Sequence, residues 1–194
     1  MKSAMLISFI FIASAMGADS LTFVPTTSMG TARTHHAAVL LPDGRVLVSG
    51  GGVMSSAVRI TNTCEIYDPA TQTWTPAAPM VSSRIGHAMF LLPNGKVLVS
   101  GGIKKGTPDT TAKNTEIYDP ATNTWTPGPA SPYGFFPRES VQLPDGRIVA
   151  LNCYLYKYTV NQGPIEPNVV MVYDPTANAW TSFSHSHGSE PTMA

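Results

Sequence analysis

The stretch from Arg84 to Trp125 occurs twice in this chain. Moved back by 51 residues, Arg84 lands on Arg33, His87 on His36, Gly95 on Gly44, Gly102 on Gly51, Tyr118 on Tyr67 and Trp125 on Trp74. A third and less regular copy carries Pro144-Asp145-Gly146, Tyr173 and Trp180. Self-similarity at a period of about 50 residues marks a chain built from one supersecondary unit used several times. Such a unit cannot bury both of its faces alone and needs its neighbours.

Each copy holds four short strand signals. In the first, Ala37–Leu41 is an apolar run, and Arg45–Ser49 alternates, with Val46 and Val48 on one face and Leu47 on the other. Pro42-Asp43-Gly44 lies between them. Asp-Gly between apolar runs predicts a hairpin closed by a two-residue type I′ turn, with positive φ at both central residues. Asn94-Gly95 and Asp145-Gly146 repeat the device. Cys64–Tyr67 is the third strand, Asp68-Pro69-Ala70-Thr71 turns the chain, and Trp74 opens the fourth. Four antiparallel strands, repeated, are the blades of an all-β propeller. Gly50-Gly51 and Gly101-Gly102 end the second strands, where glycine suits close backbone packing or positive φ. Tyr67 and Trp74 recur as Tyr118 and Trp125 and as Tyr173 and Trp180, always seven apart. Both aromatics are expected to fill the space between blades.

The double glycine, the Tyr-Asp-Pro turn and the tryptophan beyond it resemble the kelch motif. The wording of Pro42–Gly51 and of Tyr67–Trp74 is similar to the kelch repeats of secreted and bacterial proteins, including the propeller of galactose-oxidase-like proteins. The likeness covers roughly residues 21 to 183. It implies an incomplete kelch-type β-propeller, with about three four-stranded blades plus one extra N-terminal strand. Kelch repeats serve unrelated functions, so the resemblance says little about activity.

Taken in order, residues 1–18 read as a signal peptide. Lys2 is its positive start, Ala4–Ala13 its apolar core, and Ala15-Met16-Gly17 or Ala13-Ser14-Ala15 its cleavage site. The apolar run is too short to span a bilayer. Residues 19–183 make the propeller segment, with blades at about 33–79, 84–129 and 135–183, and 184–194 form a C-terminal tail. Phe23 stands 51 residues before Trp74 and Met29 the same distance before Met80, so Leu21–Met29 reads as a lone fourth strand. Gly52–Thr63 and Ile103–Thr115 read as long polar loops. The third blade replaces the double glycine with Asn152-Cys153, puts Arg138 where the other copies have histidine, and spaces Tyr173 by 55 residues from Tyr118. Three blades are fewer than the four to eight of closed propellers. The chain is then a piece of a longer propeller, or assembles with another chain, or leaves edges exposed. Two copies could together make a six-bladed ring.

Composition excludes some classes. With 43% hydrophobic and 12% charged residues the chain is globular, and with zero net charge and no basic stripe it suits neither nucleic acid nor an anionic membrane surface. No cofactor is expected. Cys64 and Cys153, the only cysteines, fall in the first and third blades. Packed sheets stand about 10 Å apart, which disfavours an intrachain disulfide and leaves each cysteine buried and unpaired, or Cys153 paired between chains. His36 and His87 are repeat equivalents, which points to packing or a hydrogen bond, and His35 and the His185/His187 pair lack partners at metal-ligand spacing.

The kelch resemblance bears on three arginines. In kelch domains that bind acidic peptides, arginines near the start of the first strand face the ligand; Arg33 and Arg84 match that position, and Arg138 is displaced by three residues. An arginine there can equally hold a backbone carbonyl. The galactose-oxidase likeness raises copper-radical chemistry, but no segment matches its ligand motifs. The expected function is a secreted binding module that recognises an extracellular protein or carbohydrate through loops and arginines on one propeller face, with possible self-association to complete the ring. The alternatives are a propeller fragment of a galactose-oxidase-like or other sugar-modifying enzyme, and a purely structural repeat scaffold.

Overall fold

The structure, a computed structural model, describes residues 26–54, 58–104, 110–134, 140–151 and 169–184. All regular structure among them is β. Blade 1 is β1 (Ala37–Leu40), β2 (Val46–Ser49), β5 (Cys64–Asp68) and β6 (Thr73–Ala77), with a hairpin of β3 (Gly52–Met54) and β4 (Val58–Ile60) set between β2 and β5. The linker strand β7 (Arg84–Ile85) leads to blade 2, which is β8 (Ala88–Leu91), β9 (Val97–Ser100), β12 (Glu116–Asp119) and β13 (Thr124–Pro127). Here β10 (Ile103–Lys104) and β11 (Thr110–Thr111) form the hairpin, and β10 pairs with β7. Blade 3 is β14 (Ser140–Gln142), β15 (Ile148–Ala150), β16 (Val169–Asp174) and β17 (Ala179–Ser184). Each blade is a four-stranded antiparallel meander.

Two readings of local structure are corrected. The Pro42-Asp43-Gly44 turn is not type I′, because Asp43 does not take positive φ. Gly44 N–H donates to the Leu41 carbonyl at 3.0 Å, Leu41 N–H donates to the Arg45 carbonyl at 2.8 Å, and only Gly44 is left-handed, at φ 86°. This is a type I turn followed by a glycine bulge. Proline is the reason: its ring holds φ near −65°, which suits the first corner of a type I turn. Pro93 and Pro144 impose the same geometry on Gly95 and Gly146. The second correction concerns the long polar loops. Their described parts are β-hairpins that reach back to the linker before their own blade, through Thr34 and Gly52 in blade 1 and through β7 and β10 in blade 2.

The core lies in the seams between blades. In blade 1, Ala37, Leu41, Leu47 and Ile66 face blade 2 and meet Met89, Val97, Val99 and Tyr118. In blade 2, Phe90, Leu92 and Leu98 face blade 3 and meet Ile148 and Tyr173. Alternate residues of one strand thus serve opposite seams, as the period-two geometry of a strand requires. Tyr118 and Trp125 join the seam of blades 1 and 2, and Tyr173 and Trp180 that of blades 2 and 3; Tyr67 and Trp74 repeat the pair in blade 1, and the ring centroids are 5.0, 4.9 and 5.3 Å apart in blades 1 to 3. Such tilted pairs contribute about 0.5–1.5 kcal/mol beyond the area they bury.

The expected N-terminal strand is described only from Thr26, and Thr26–Met29 are not in a strand. They hold a linker position instead. The Thr27 carbonyl accepts from Trp74 Nε1 at 2.8 Å, as the Ala78 carbonyl accepts from Trp125 Nε1 at 2.8 Å. The signal peptide, Arg138, Cys153 and the tail from His185 lie outside the described residues.

The double glycines are needed on both expected grounds. Gly102 sits at φ 82°, and a Cβ there would stand 2.6 Å from the Ile85 carbonyl oxygen. Gly51 repeats this at φ 94° against the Thr34 carbonyl. Gly44 is equally left-handed but opens on empty space. Gly102→Ala should therefore cost about 2–3 kcal/mol, and Gly44→Ala about 1 kcal/mol from backbone strain alone. Urea melts of the two variants check this; equal losses would remove the carbonyl contact from the account.

Candidate binding surface

The three arginines are the first residues to place. Arg33 and Arg84 are 1% and 0% exposed. Arg33 Nη1 donates to the carbonyls of Gly50 and Thr63 at 2.9 and 2.8 Å, and its Nη2 donates to Glu65 Oε1 at 2.6 Å. Arg84 repeats the pattern on Gly101, Asn114 and Glu116, at 3.3, 3.1 and 2.8 Å. A ligand carboxylate has no access to either guanidinium, so both arginines are corrected from ligand contacts to interior ties. Arg138 lies outside the described residues.

Each glutamate completes a clamp. Glu65 also accepts from the backbone N–H groups of Gly30 and Thr31, at 2.6 and 3.1 Å. Glu116 accepts from Val81 and Ser82, at 2.6 and 3.1 Å. A carboxylate on the third strand thus fastens the linker that enters its own blade, and the arginine neutralises it. Glu65 and Glu116 were missed as partners, although each stands two residues before the marker tyrosine and 32 after its arginine. In the sequence of the third copy Phe135 stands at the arginine's repeat position, with Arg138 three residues on, and the glutamate is replaced. Met171 stands where the glutamates stand, and it is packed with Ala150, Val169 and Tyr133. Replacing a buried ion pair by apolar groups on both sides costs little, whereas stranding one charge costs much.

His87 is equally internal. Ser49 Oγ donates to Met89 Sδ at 3.1 Å, so it receives the His87 Nε2 proton as acceptor, at 2.8 Å. Burial first, and the Arg84 charge second, push the His87 pKa down to about 3. Burial and then Arg33 lower His36 as well. Burial raises the Cys64 thiol to about 12, and this free thiol is chemically quiet. Among the described residues no three side chains of His, Cys, Asp or Glu gather in metal-binding array.

Charge is divided between the two ends of the blades. One end carries the Pro-Asp-Gly and Asp-Pro turns. Every solvent-accessible carboxylate among the described residues lies there: Asp43, Asp68, Asp119, Asp145 and Asp174. Its cations are paired, Arg45 with Asp43 at 2.6 Å, Lys96 with Asp119 at 3.0 Å and Arg147 with Asp145 at 2.7 Å. The other end carries the β3–β4 and β10–β11 hairpins. There Arg59, Lys104 and Lys113 are exposed, and among the described residues none has an ion-pair partner. Glu65 and Glu116, the described carboxylates nearest that end, are buried in their clamps.

Family models for the kelch motif match residues 33–81 and, separately, residues 84–132. The chain is a kelch-repeat protein. It is similar to Kelch-like protein 25 of Xenopus tropicalis, 28% identical over 145 residues, covering 71% of this chain and 23% of that protein. It is 35% identical over 108 residues to Kelch-like protein terF of Aspergillus terreus, which covers 53% of this chain and 23% of the relative. The match to human Kelch-like protein 7 is 43% over 44 residues, 23% of this chain and 7% of the other. The kelch-repeat chain therefore spans less than a quarter of the length of these relatives. The solved structure of YjhT superposes with a TM-score of 0.70 at 20% identity, over 90% of this chain and 58% of that one. That likeness shows the fold, a β-propeller. No helix among the described residues is long and apolar enough to cross a membrane.

Proposed function

We propose that this kelch-repeat protein is a secreted binding module whose hairpin end receives an acidic surface of an extracellular protein or carbohydrate. The observation that carries the reading is the separation of charge among the described residues: accessible carboxylates and paired cations at the turn end, and Arg59, Lys104 and Lys113 without a described ion-pair partner at the hairpin end. Exposed cations that no described carboxylate pairs steer and hold a partner of opposite sign. Loops on a rigid β scaffold are also where binding residues concentrate. The signal-like residues 1–18 support secretion. The mature protein recovered from culture medium should begin between Ala15 and Leu21.

The test is a triple variant, Arg59→Glu, Lys104→Glu and Lys113→Glu, against two probes, immobilised heparin and polyglutamate. Wild type should bind at least one of them in a salt-sensitive way. The variant should bind at least about tenfold more weakly, a loss of about 1.4 kcal/mol. Wild type that ignores both probes, or a folded variant that binds as wild type does, overturns the reading. Alanine at Arg33 or Arg84 reports on folding, not on ligand, and is unsuited to this purpose.

A further inference from the structure

The turn end carries an open groove of about 640 Å³, lined by Pro42 of blade 1, Leu91 and Pro93 of blade 2, and Gln142, Leu143 and Pro144 of blade 3. The three prolines are repeat equivalents, each at the first corner of its turn. Their turns interlock. Pro42 Cγ lies 3.6 Å from where a Cβ on Gly95 would stand, and Pro93 covers Gly146 so closely that a Cβ there would strike its ring. Proline fixes its own φ, and each ring is held by the next turn, so the groove is built before any ligand arrives. Its polar groups are already engaged. The N–H groups of Gly95 and Gly146 donate to the carbonyls of Leu92 and Leu143, each at 2.9 Å. Gln142 Nε2 donates to the Leu91 carbonyl at 2.7 Å. A ligand in the groove is therefore offered apolar contact, in a volume that suits a few side chains.

The rim is acidic. Among the described residues this end carries five accessible carboxylates against three cations, and each cation is paired, so Asp68 and Asp174 have no described ion-pair partner. Asp174 adjoins the groove, because the ring of the next residue, Pro175, stands 3.5 Å from the same Cβ position on Gly146. Asp174 Oδ1 accepts from the N–H groups of Thr176 and Ala177, at 2.8 and 3.2 Å, and its Oδ2 accepts from no described residue. We propose that this groove is a second binding site, which takes an extended segment of a partner protein carrying apolar side chains beside lysine or arginine. The apolar side chains enter among the prolines, and the cation meets Asp174 at the rim. A preformed apolar pocket supplies the anchor, and the charge of the rim selects the partner. The site lies at the end opposite the cationic hairpins and prefers the opposite charge, so it stands independently of the reading given for that end.

Three labelled peptides of equal length serve as probes, alternating leucine with arginine, serine with arginine, and leucine with serine. Binding to the full chain is followed by fluorescence anisotropy. The leucine–arginine peptide should bind at least about tenfold more tightly than either control, which carries only the charge or only the apolar contact. Raising the salt should weaken it. Pro144→Arg, at an exposed turn corner, puts a cation into the groove. Asp145→Asn with Asp174→Asn removes two rim charges and keeps the acceptors of both turns; asparagine already serves at the blade 2 equivalent of Asp145, where Asn94 Oδ1 accepts from Lys96 N–H at 3.1 Å. Each of these two proteins should bind the leucine–arginine peptide at least about tenfold more weakly than wild type. Wild type that binds the leucine–arginine peptide no better than the controls overturns the proposal, and so does a folded Pro144→Arg or double asparagine variant that binds it as wild type does.

Discussion

Glu116→Met should destabilise the protein by about 3–5 kcal/mol, a large part of the roughly 5–15 kcal/mol that holds a domain folded. The substitution removes the counter-ion of Arg84, whose side chain is fully buried. It also leaves the N–H groups of Val81 and Ser82 without their acceptor. Adding Arg84→Met should return part of the loss, since the stranded charge then disappears. The two orphaned N–H groups remain, so recovery stays incomplete. Urea melts of both singles and the double complete the cycle. If Glu116→Met proves too unstable to purify, Glu116→Gln keeps one acceptor oxygen, removes the charge and turns an amide NH2 toward the donors that the other oxygen served; a loss of about 2 kcal/mol or more is expected there. A loss below about 1 kcal/mol for Glu116→Met, or a double variant as unstable as the sum of the singles, refutes the clamp.

The same clamp shows what was readable in the sequence and what was not. The repeat markers Tyr67, Trp74, Gly51 and their equivalents gave blade count, strand order and the seam aromatics, because each recurs at fixed spacing and each has one steric use. Arg33 and Arg84 recur too, but recurrence cannot tell a shared ligand contact from a shared internal tie. The deciding residue, Glu65, lies 32 positions away on another strand. A signal did exist: a glutamate in the otherwise apolar Cys64–Tyr67, present in both copies with the arginine at its repeat position and absent from the third, where the arginine is displaced by three residues. Asp43-Gly44 alone signals type I′, but Pro42 fixes the preceding corner and selects type I. The hairpins β3–β4 and β10–β11 were hidden because their pairing partner is a linker well away in sequence, and no local alternation announces it.

Acid should open the seam between blades 1 and 2 before it affects the rest of the fold, and His87 is the reason. Its folded pKa is about 3, against about 6.5 in an unfolded chain. Between those values the unfolded state binds a proton that the folded state refuses, so stability falls as pH drops through this window and is fully present above it. Each pH unit is worth about 1.36 kcal/mol for one proton, which gives about 2–3 kcal/mol between pH 6.5 and 4.5. The hydrogen bond at stake joins His87 to Ser49 across the seam, so the loss is local to that junction. Asp43, Asp119 and Asp145, whose pKa values are lowered by Arg45, Lys96 and Arg147, lose their contributions only at lower pH, as the unfolded carboxyls take up protons near pH 4. The interval above pH 4.5 therefore isolates histidine. His36, also lowered by burial, contributes equally to both proteins in the comparison. His87→Gln removes the titrating group while keeping a donor near Ser49. Its stability, measured by urea melts from pH 7 to 4.5, should fall less steeply than that of wild type by about one proton. Superimposable profiles would place the proton elsewhere and leave Ser49 and His87 as an ordinary neutral contact.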